Sequence, residues 1–308
     1  MPSKVLVTGA GGYLGSEVCR TLVDEGFEVS GADLSYRRDL AAPLTVVDLL
    51  RPDAVYSVID ECDAVVHLAN HPRPGRLPPQ RLYGENVRMN MNVFQAAAEV
   101  GVTHLVYSSS VQVFAGTRDH HHEEQGPSCL PYLPIDGDVP AHPANSYALS
   151  KQAGENQLRY FARLNPEMAC VSVRFPVMLS DRYLQYIREH IRRHHGGRRR
   201  RWGNPDEGFS YLALADAARL VAAVLRRAEP GYHQLFPAAP DNMLGMDAAE
   251  AVEEFFPDVP LKVPVEEMGS LIDTRAITEQ FGWEPERVNL LSEDKGGVEG
   301  KNGEQARG

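Results

Sequence analysis

Long apolar runs are missing from this 308-residue chain. The longest candidate, residues 212–225, is interrupted by Asp216 and Arg219, whereas a membrane-spanning helix needs ~20 predominantly apolar residues. No membrane partner is expected. Cysteine is scarce: Cys19, Cys62, Cys129 and Cys170 lie far apart with no metal-type spacing. They read as reduced, structural thiols of a cytoplasmic protein. Positive charge is in deficit, with 31 Lys and Arg against 42 Asp and Glu and a formal charge of −11. That balance argues against general nucleic-acid binding. Met1 leads directly into a strand-like run, so no signal peptide is expected. From Glu293 onward almost nothing is apolar, so residues 287–308 are expected to form a disordered tail.

What is present begins at the N-terminus. Lys4-Val5-Leu6-Val7-Thr8 is a short β-branched run that suits a buried parallel strand. It stops at Gly9-Ala10-Gly11-Gly12-Tyr13-Leu14-Gly15, and Val18, Leu22 and Val23 follow at helical spacing. In a strand–turn–helix setting Gly9 permits the tight turn, Gly12 lets backbone approach a pyrophosphate, and Gly15 lets helix pack on strand. The helix start then offers free N–H groups to the phosphates. A second strand, residues 28–32, ends in Asp33. A carboxylate there pairs with a ribose 2′-hydroxyl and repels a 2′-phosphate, which points to NAD over NADP. Arg37 and Arg38 keep a phosphate clamp open as the alternative.

Strands are expected at 44–47, 64–69, 105–107 and 169–175, alternating with helices. That alternation predicts an α/β fold, a Rossmann-type doubly wound parallel sheet; a small C-terminal substrate-binding lobe is expected after the sixth strand, as the family resemblance given below implies. The expected division is 1–176 for the dinucleotide domain and 177–286 for the lobe with its return segments. One helix is read over 85–100, with Val87, Met91, Phe94 and Ala98 on one face. Asp48, followed by Leu49 at the end of the third strand, either meets an adenine amino group or caps the next short helix. The 116–145 stretch is a long loop rich in Pro, His and acids, a length that is usually functional or disordered. His120-His121-His122 within it diverge as neighbours in an extended chain, so no metal site is expected.

Tyr147-Ala148-Leu149-Ser150-Lys151 opens a helix, and the i to i+4 spacing puts Tyr147 and Lys151 on one face. A free tyrosine has a pKa of about 10, and service as a base near neutrality needs a drop of roughly three units, ~4 kcal/mol. A neighbouring ammonium and the positive charge of a bound nicotinamide supply a drop of that kind. The phenolate can then take a proton from a substrate hydroxyl while hydride leaves its carbon.

The glycine turn, Asp33, Asp48-Leu49, His67-Leu68-Ala69, Ser108-Ser109-Ser110 and Tyr147 with Lys151 together resemble the extended short-chain dehydrogenase/reductases. Within them the chain is similar to the NAD-dependent epimerase/dehydratase group, over roughly residues 4–285. The resemblance implies that Tyr147 is the catalytic acid or base, that Lys151 also holds the nicotinamide ribose, and that Ser110 orients substrate. It implies backbone contacts to pyrophosphate at Tyr13 and Leu14, adenine contacts at Asp48 and Leu49, and contacts beside the cofactor at Leu68 and Ala69. It also implies a homodimer through the two long helices.

Two departures shape the expected chemistry. Val111-Gln112-Val113 stands where the 4,6-dehydratases carry an Asp-Glu pair, which disfavours dehydration. Arg174-Phe175-Pro176-Val177 lacks the substrate asparagine usual in sugar-nucleotide epimerases. Further on, Arg198-Arg199-Arg200-Arg201 either grips an anionic substrate group or forms a solvated loop. The expected function is NAD-dependent epimerisation or dehydrogenation at a secondary hydroxyl of a sugar or sugar nucleotide. An NADP-dependent carbonyl reductase and a non-catalytic dinucleotide sensor remain as alternatives.

Overall fold

The computed structural model describes residues 2–72, 75, 77–115, 128–193 and 203–286. The histidine run 120–122, the arginine run 198–201 and the tail from 287 lie outside them. Seven parallel strands form the main sheet: β1 Lys4–Thr8, β2 Glu28–Asp33, β3 Leu44–Val46, β4 Ala64–His67, β5 His104–Ser110, β6 Ala169–Phe175 and, after two short strands elsewhere, β9 Gly231–Leu235. Their order is β3-β2-β1-β4-β5-β6-β9. The order reverses between β1 and β4, which opens a crevice at the carboxyl ends of those strands.

Both faces of the sheet are covered, as the unbroken apolar runs require. Along β1, Val5 and Val7 enter one core while Leu6 enters the other. The first core is closed by helices α1 Tyr13–Asp24 and α6 Leu214–Arg227, and by the C-terminal α8 Arg275–Phe281. The run 212–225 is thus largely a core helix: Leu220, Val221, Val224 and Leu225 are fully buried. No helix among the described residues is long and apolar enough to cross a membrane. The opposite core is closed by α2 Pro52–Ile59, α3 Pro79–Val100 and α4 Ser146–Leu164.

Two sequence expectations are corrected here. α3 starts at Pro79 rather than near Glu85, and Met91 is 40% exposed while Asn86 and Asn90 are fully buried. The inward face follows Leu82, Asn86, Asn90, Val93 and Ala97. Counting apolar residues misplaced it, because both buried asparagines have partners: Asn86 Nδ2 donates to Ser150 Oγ at 3.0 Å and Asn90 Nδ2 to the Tyr107 hydroxyl at 3.2 Å. The other correction concerns the loop. Residues 128–139 are part of a third core, in which Leu130, Leu133, Ile135 and Val139 pack with Phe209, Phe236, Phe256 and Ile272. The Ile135 N–H donates to the Leu271 carbonyl at 2.8 Å and the Asp273 N–H to the Ile135 carbonyl at 2.7 Å. Pro131 and Pro134 hide this strand-like pairing from a periodicity reading.

A small parallel ladder joins this third core to the main sheet. β7 Val177–Leu179 continues two residues beyond β6 and pairs with β8 Tyr211–Ala213. In sequence, helix α5 Asp181–Arg193 lies between these two strands and α7 Ala248–Phe255 follows β9. The chain closes where Trp283, 2% exposed, donates its indole N–H to the Asp216 carbonyl on α6 at 3.2 Å.

Candidate active site

The glycine turn is built as its spacing demands. Gly9 has φ +69, and a Cβ added there would lie 2.7 Å from the Ala69 nitrogen. A Cβ on Gly15 would overlap the Gly9 carbonyl oxygen, so α1 packs directly on the turn. Gly12 caps α1 with extended backbone and no side-chain hydrogen bond. The first-turn N–H groups are therefore left to a ligand anion.

Asp33, at the end of β2, is held beside this turn: one carboxylate oxygen accepts from the Gly11 N–H at 3.0 Å and the other from the Ser35 N–H at 3.1 Å. Each oxygen keeps a lone pair for a ribose hydroxyl. Arg37 lies close by, but its guanidinium donates to the Gly11 carbonyl at 3.1 Å and to Asp39 at 3.0 Å. Asp48 does not cap α2, whose N-cap is Arg51; it accepts from the Leu50 N–H at 2.9 Å and closes a turn. Gly9, Gly12, Tyr13, Leu14, Gly15, Asp33, Asp48, Leu49, Leu68 and Ala69 all line one cleft of about 640 Å³, and so do Ser108, Tyr147 and Lys151. These residues fit a dinucleotide: a side-chain-free cradle and an uncapped helix start for the phosphates, with a carboxylate at the ribose end.

Beneath the cleft a network missed in the sequence fixes the end of β4. His67 is buried between the Thr8 hydroxyl, 2.7 Å from Nδ1, and Asn90 Oδ1, 3.0 Å from Nε2. Burial pushes its imidazole down to about 3, against the Asn90 hydrogen bond, so it is neutral at physiological pH.

At the other end, α4 delivers Tyr147 and Lys151 one turn apart. Asn145 caps this helix by accepting from the Ala148 N–H at 2.8 Å. The Lys151 ammonium donates to the Ser108 carbonyl at 2.6 Å and lies 5.6 Å from the Tyr147 ring centre. Ser110 Oγ accepts from the Gln112 N–H at 3.2 Å, and the Ser110 hydroxyl lowers the Tyr147 phenol, against the effect of burial. The sequence reading of the electrostatics needs revision, however. Burial pushes Tyr147 up to about 12, with Glu207 adding to the rise, and pushes Lys151 down to about 7. Without a cofactor the phenol is protonated, because desolvation outweighs what a neighbouring amine offers.

One helical turn past Lys151 lies Glu155, buried with Arg174 of β6. Arg174 Nε and Nη2 clamp the two Glu155 oxygens at 2.8 and 2.9 Å, and Ser109 Oγ donates to Glu155 at 2.7 Å. Arg174 Nη1 also donates to the Val139 carbonyl at 2.6 Å, tying the third core to the sheet. The 147/151/155 spacing was available in the sequence as a signal for Glu155; nothing local marked its partner. Among the described residues no group of three or more His, Cys, Asp or Glu is placed to hold a metal ion. Cys19 and Cys170 are buried thiols pushed up to about 12 by burial.

The fold and cleft define a dinucleotide-binding protein of the Rossmann class. Residues 5–235 match the NAD dependent epimerase/dehydratase family, and the chain belongs to that family. It is 30% identical over 177 residues to an NAD-dependent glucose-6-phosphate dehydrogenase of Haloferax volcanii, covering 52% of this chain and 63% of that one. A UDP-glucose 4-epimerase 3 of Oryza sativa subsp. japonica is 29% identical over 197 residues, covering 56% and 48%. The chain thus spans about half the length of such curated relatives. Among solved structures, a short-chain dehydrogenase/reductase superfamily protein of Agrobacterium tumefaciens with bound NAD superposes with a TM-score of 0.67 at 20% identity, covering 94% of each chain. At that identity the likeness establishes the fold.

Proposed function

We propose that the protein is an NAD-dependent epimerase or dehydrogenase acting on a secondary hydroxyl of a sugar or sugar nucleotide. The observation that carries the reading is one cleft holding Asp33 and the open start of α1 at one end and Tyr147 with Lys151 at the other. A bound oxidised nicotinamide would supply the hydride acceptor and a positive charge that favours the phenolate. Tyr147 takes the hydroxyl proton in the oxidising direction and returns it to a carbonyl in the reducing one. Ser110 holds the reacting oxygen and stabilises the phenolate, and Lys151, anchored on the Ser108 carbonyl, orients a ribose. The family relatives named above act as a dehydrogenase and an epimerase, which supports both outcomes on one site. Residues 177–286, together with the 128–139 segment, serve as the substrate lobe in this reading. Met91 on α3 and Leu149, Tyr160 and Leu164 on α4 are exposed apolar residues suited to a homodimer.

Denaturing the purified protein and quantifying any released nucleotide tests the reading. Near-stoichiometric NAD indicates a cofactor retained through a cycle, as epimerisation needs; reversible binding of NAD indicates net oxidation. A preference for NADP would overturn the role given to Asp33. Failure to bind either dinucleotide would remove the proposed function.

A further inference from the structure

Glu207 ends the single 3-10 turn Pro205–Glu207 and is 2% exposed. Strand register places that turn. Ser110 at the end of β5 pairs with Phe175 of β6, and Val177, two residues on, pairs with Tyr211 of β8. The segment leading into Tyr211 therefore lies at the carboxyl ends of β5 and β6, where Ser110 and Tyr147 stand. The charge of Glu207 is accordingly felt at the Tyr147 phenol.

The turn is anchored with unusual firmness. Gly208 and Phe209 are both left-handed, with φ 62 and 49, and Phe209 is fully buried with its ring centre 4.9 Å from that of Phe255 and 6.0 Å from that of Phe256. The two adjacent acids then differ. Asp206 is satisfied by the Ser128 hydroxyl at 2.8 Å and the Cys129 N–H at 3.1 Å. No hydrogen bond or ion pair from a described residue reaches the Glu207 carboxyl. The same turn leaves Asn204 Nδ2 and Ser210 Oγ buried without partners, in residues 5% and 2% exposed. A buried polar group without a partner is rare in a folded protein; two of them flank this turn, beside a carboxyl that no described residue pairs, and they point to a ligand that completes them.

We propose that Glu207 is a substrate-binding residue: its carboxyl receives the hydroxyl groups of an unphosphorylated sugar or polyol next to the carbinol engaged by Tyr147 and Ser110. The proposal rests on the function proposed above and narrows it to a substrate class. A phosphate at this place would meet two neighbouring carboxyls, Asp206 and Glu207, whereas vicinal hydroxyls donate to a carboxyl that lacks donors. Asn204 and Ser210 supply further hydrogen-bonding capacity of the kind a polyol uses.

The test uses the full chain with NAD, offered D-glucose, D-galactose, D-xylose and myo-inositol, and in parallel glucose 6-phosphate and UDP-glucose, with NADH formation and epimeric products both measured. Turnover of an unphosphorylated compound is expected, and Glu207→Gln should raise its KM by roughly tenfold or more with kcat changed by less than about threefold. Turnover confined to the phosphorylated compounds, or an unchanged KM in Glu207→Gln, overturns the proposal and leaves the proposed function standing. No reaction with any of them, despite bound NAD, counts against both. A ligand-free measurement separates the cases. Ultraviolet titration of the Tyr147 phenol, taken as the difference from Tyr147→Phe, should shift to lower pH in Glu207→Gln. An unmoved midpoint means that Glu207 does not face the site, and it overturns the proposal whatever the substrate.

Discussion

The two ends of the cleft are built by different means. At the dinucleotide end the main chain does the shaping: Gly9 turns with φ +69, and Gly15 lets α1 rest on the Gly9 carbonyl. Asp33 is aimed there by backbone N–H groups. At the proposed substrate end side chains apart in sequence do it: Arg174 with Glu155, Asp206 with Ser128, and the Tyr211 hydroxyl with Asp241 at 2.6 Å. Main-chain geometry restricts residue type at fixed local spacing, while a side-chain network leaves no local pattern.

The largest expected effect is at the junction of the two. Tyr147→Phe should lower turnover by ~10²–10⁴-fold, the range ascribed to a positioned acid or base. Binding of NAD, measured by calorimetry, should change little, because the glycine turn and Asp33 lie at the far end and Lys151 is left in place. Equal loss of both would mean that the ends are not separable.

Arg174→Met follows. It leaves the Glu155 carboxylate buried against Ser109 and removes the bond to the Val139 carbonyl. Stripping one partner from a buried pair typically costs ~3–5 kcal/mol. Denaturant unfolding should show that loss, with limited proteolysis cutting first in the 128–139 segment that Arg174 tethers. At the opposite end Gly15→Ala has the next effect, ~1–3 kcal/mol of overpacking strain, since its Cβ would strike the Gly9 carbonyl. Here the loss should fall on dinucleotide affinity as well as stability. An NAD affinity equal to wild type would refute the close-packing argument.

This contrast explains what the sequence disclosed. The glycine turn, Asp33 and the Tyr147–Lys151 pair were legible because each is local. The doubly wound parallel sheet followed from alternating runs, but its strand order came only from the structure. The inward face of α3 was not legible, because Asn86 and Asn90 are buried with hydrogen-bond partners on other elements, among them Ser150 and Tyr107, 64 and 17 residues away. The burial of Glu207 left no local pattern either: it ends a turn that leads into Phe209, itself seated among Phe255 and Phe256. Nor did spacing foretell that burial would raise Tyr147 rather than let Lys151 lower it.

Titration distinguishes the two ends with opposite signs. His67, under the dinucleotide end, is depressed from 6.5 to about 3 by burial. The folded state then binds fewer protons than the unfolded one, so the stability it contributes is present above pH 6.5 and is lost as pH falls toward 3. Glu207 is raised from 4.5 to about 7 by burial and, secondarily, by Asp206. Its contribution is present below pH 4.5 and is lost as pH rises through 7. Either window amounts to a few kcal/mol at most, at ~1.4 kcal/mol per unit. Melting temperature measured against pH should therefore fall less steeply on the acid side in His67→Gln, and less steeply between pH 4.5 and 7 in Glu207→Gln. Parallel curves for wild type and both variants would refute the assignment of either group.

The smallest effect concerns the two helix starts that frame the cleft. α1 begins at Gly12 with no side chain to satisfy its N–H groups, whereas α4 begins at Asn145, whose side chain accepts from the Ala148 N–H at 2.8 Å. An open start suits a helix that must meet phosphates; a closed one suits a helix that must present Tyr147 and Lys151 in a fixed orientation. Asn145→Ala should cost ~1 kcal/mol of stability, read by chemical denaturation. It should lower kcat more than NAD affinity, because the frayed turn carries the phenol and not the phosphate site. A loss confined to NAD affinity would mean that the cap of α4 serves the dinucleotide end, and the division of labour between the two helices would fail.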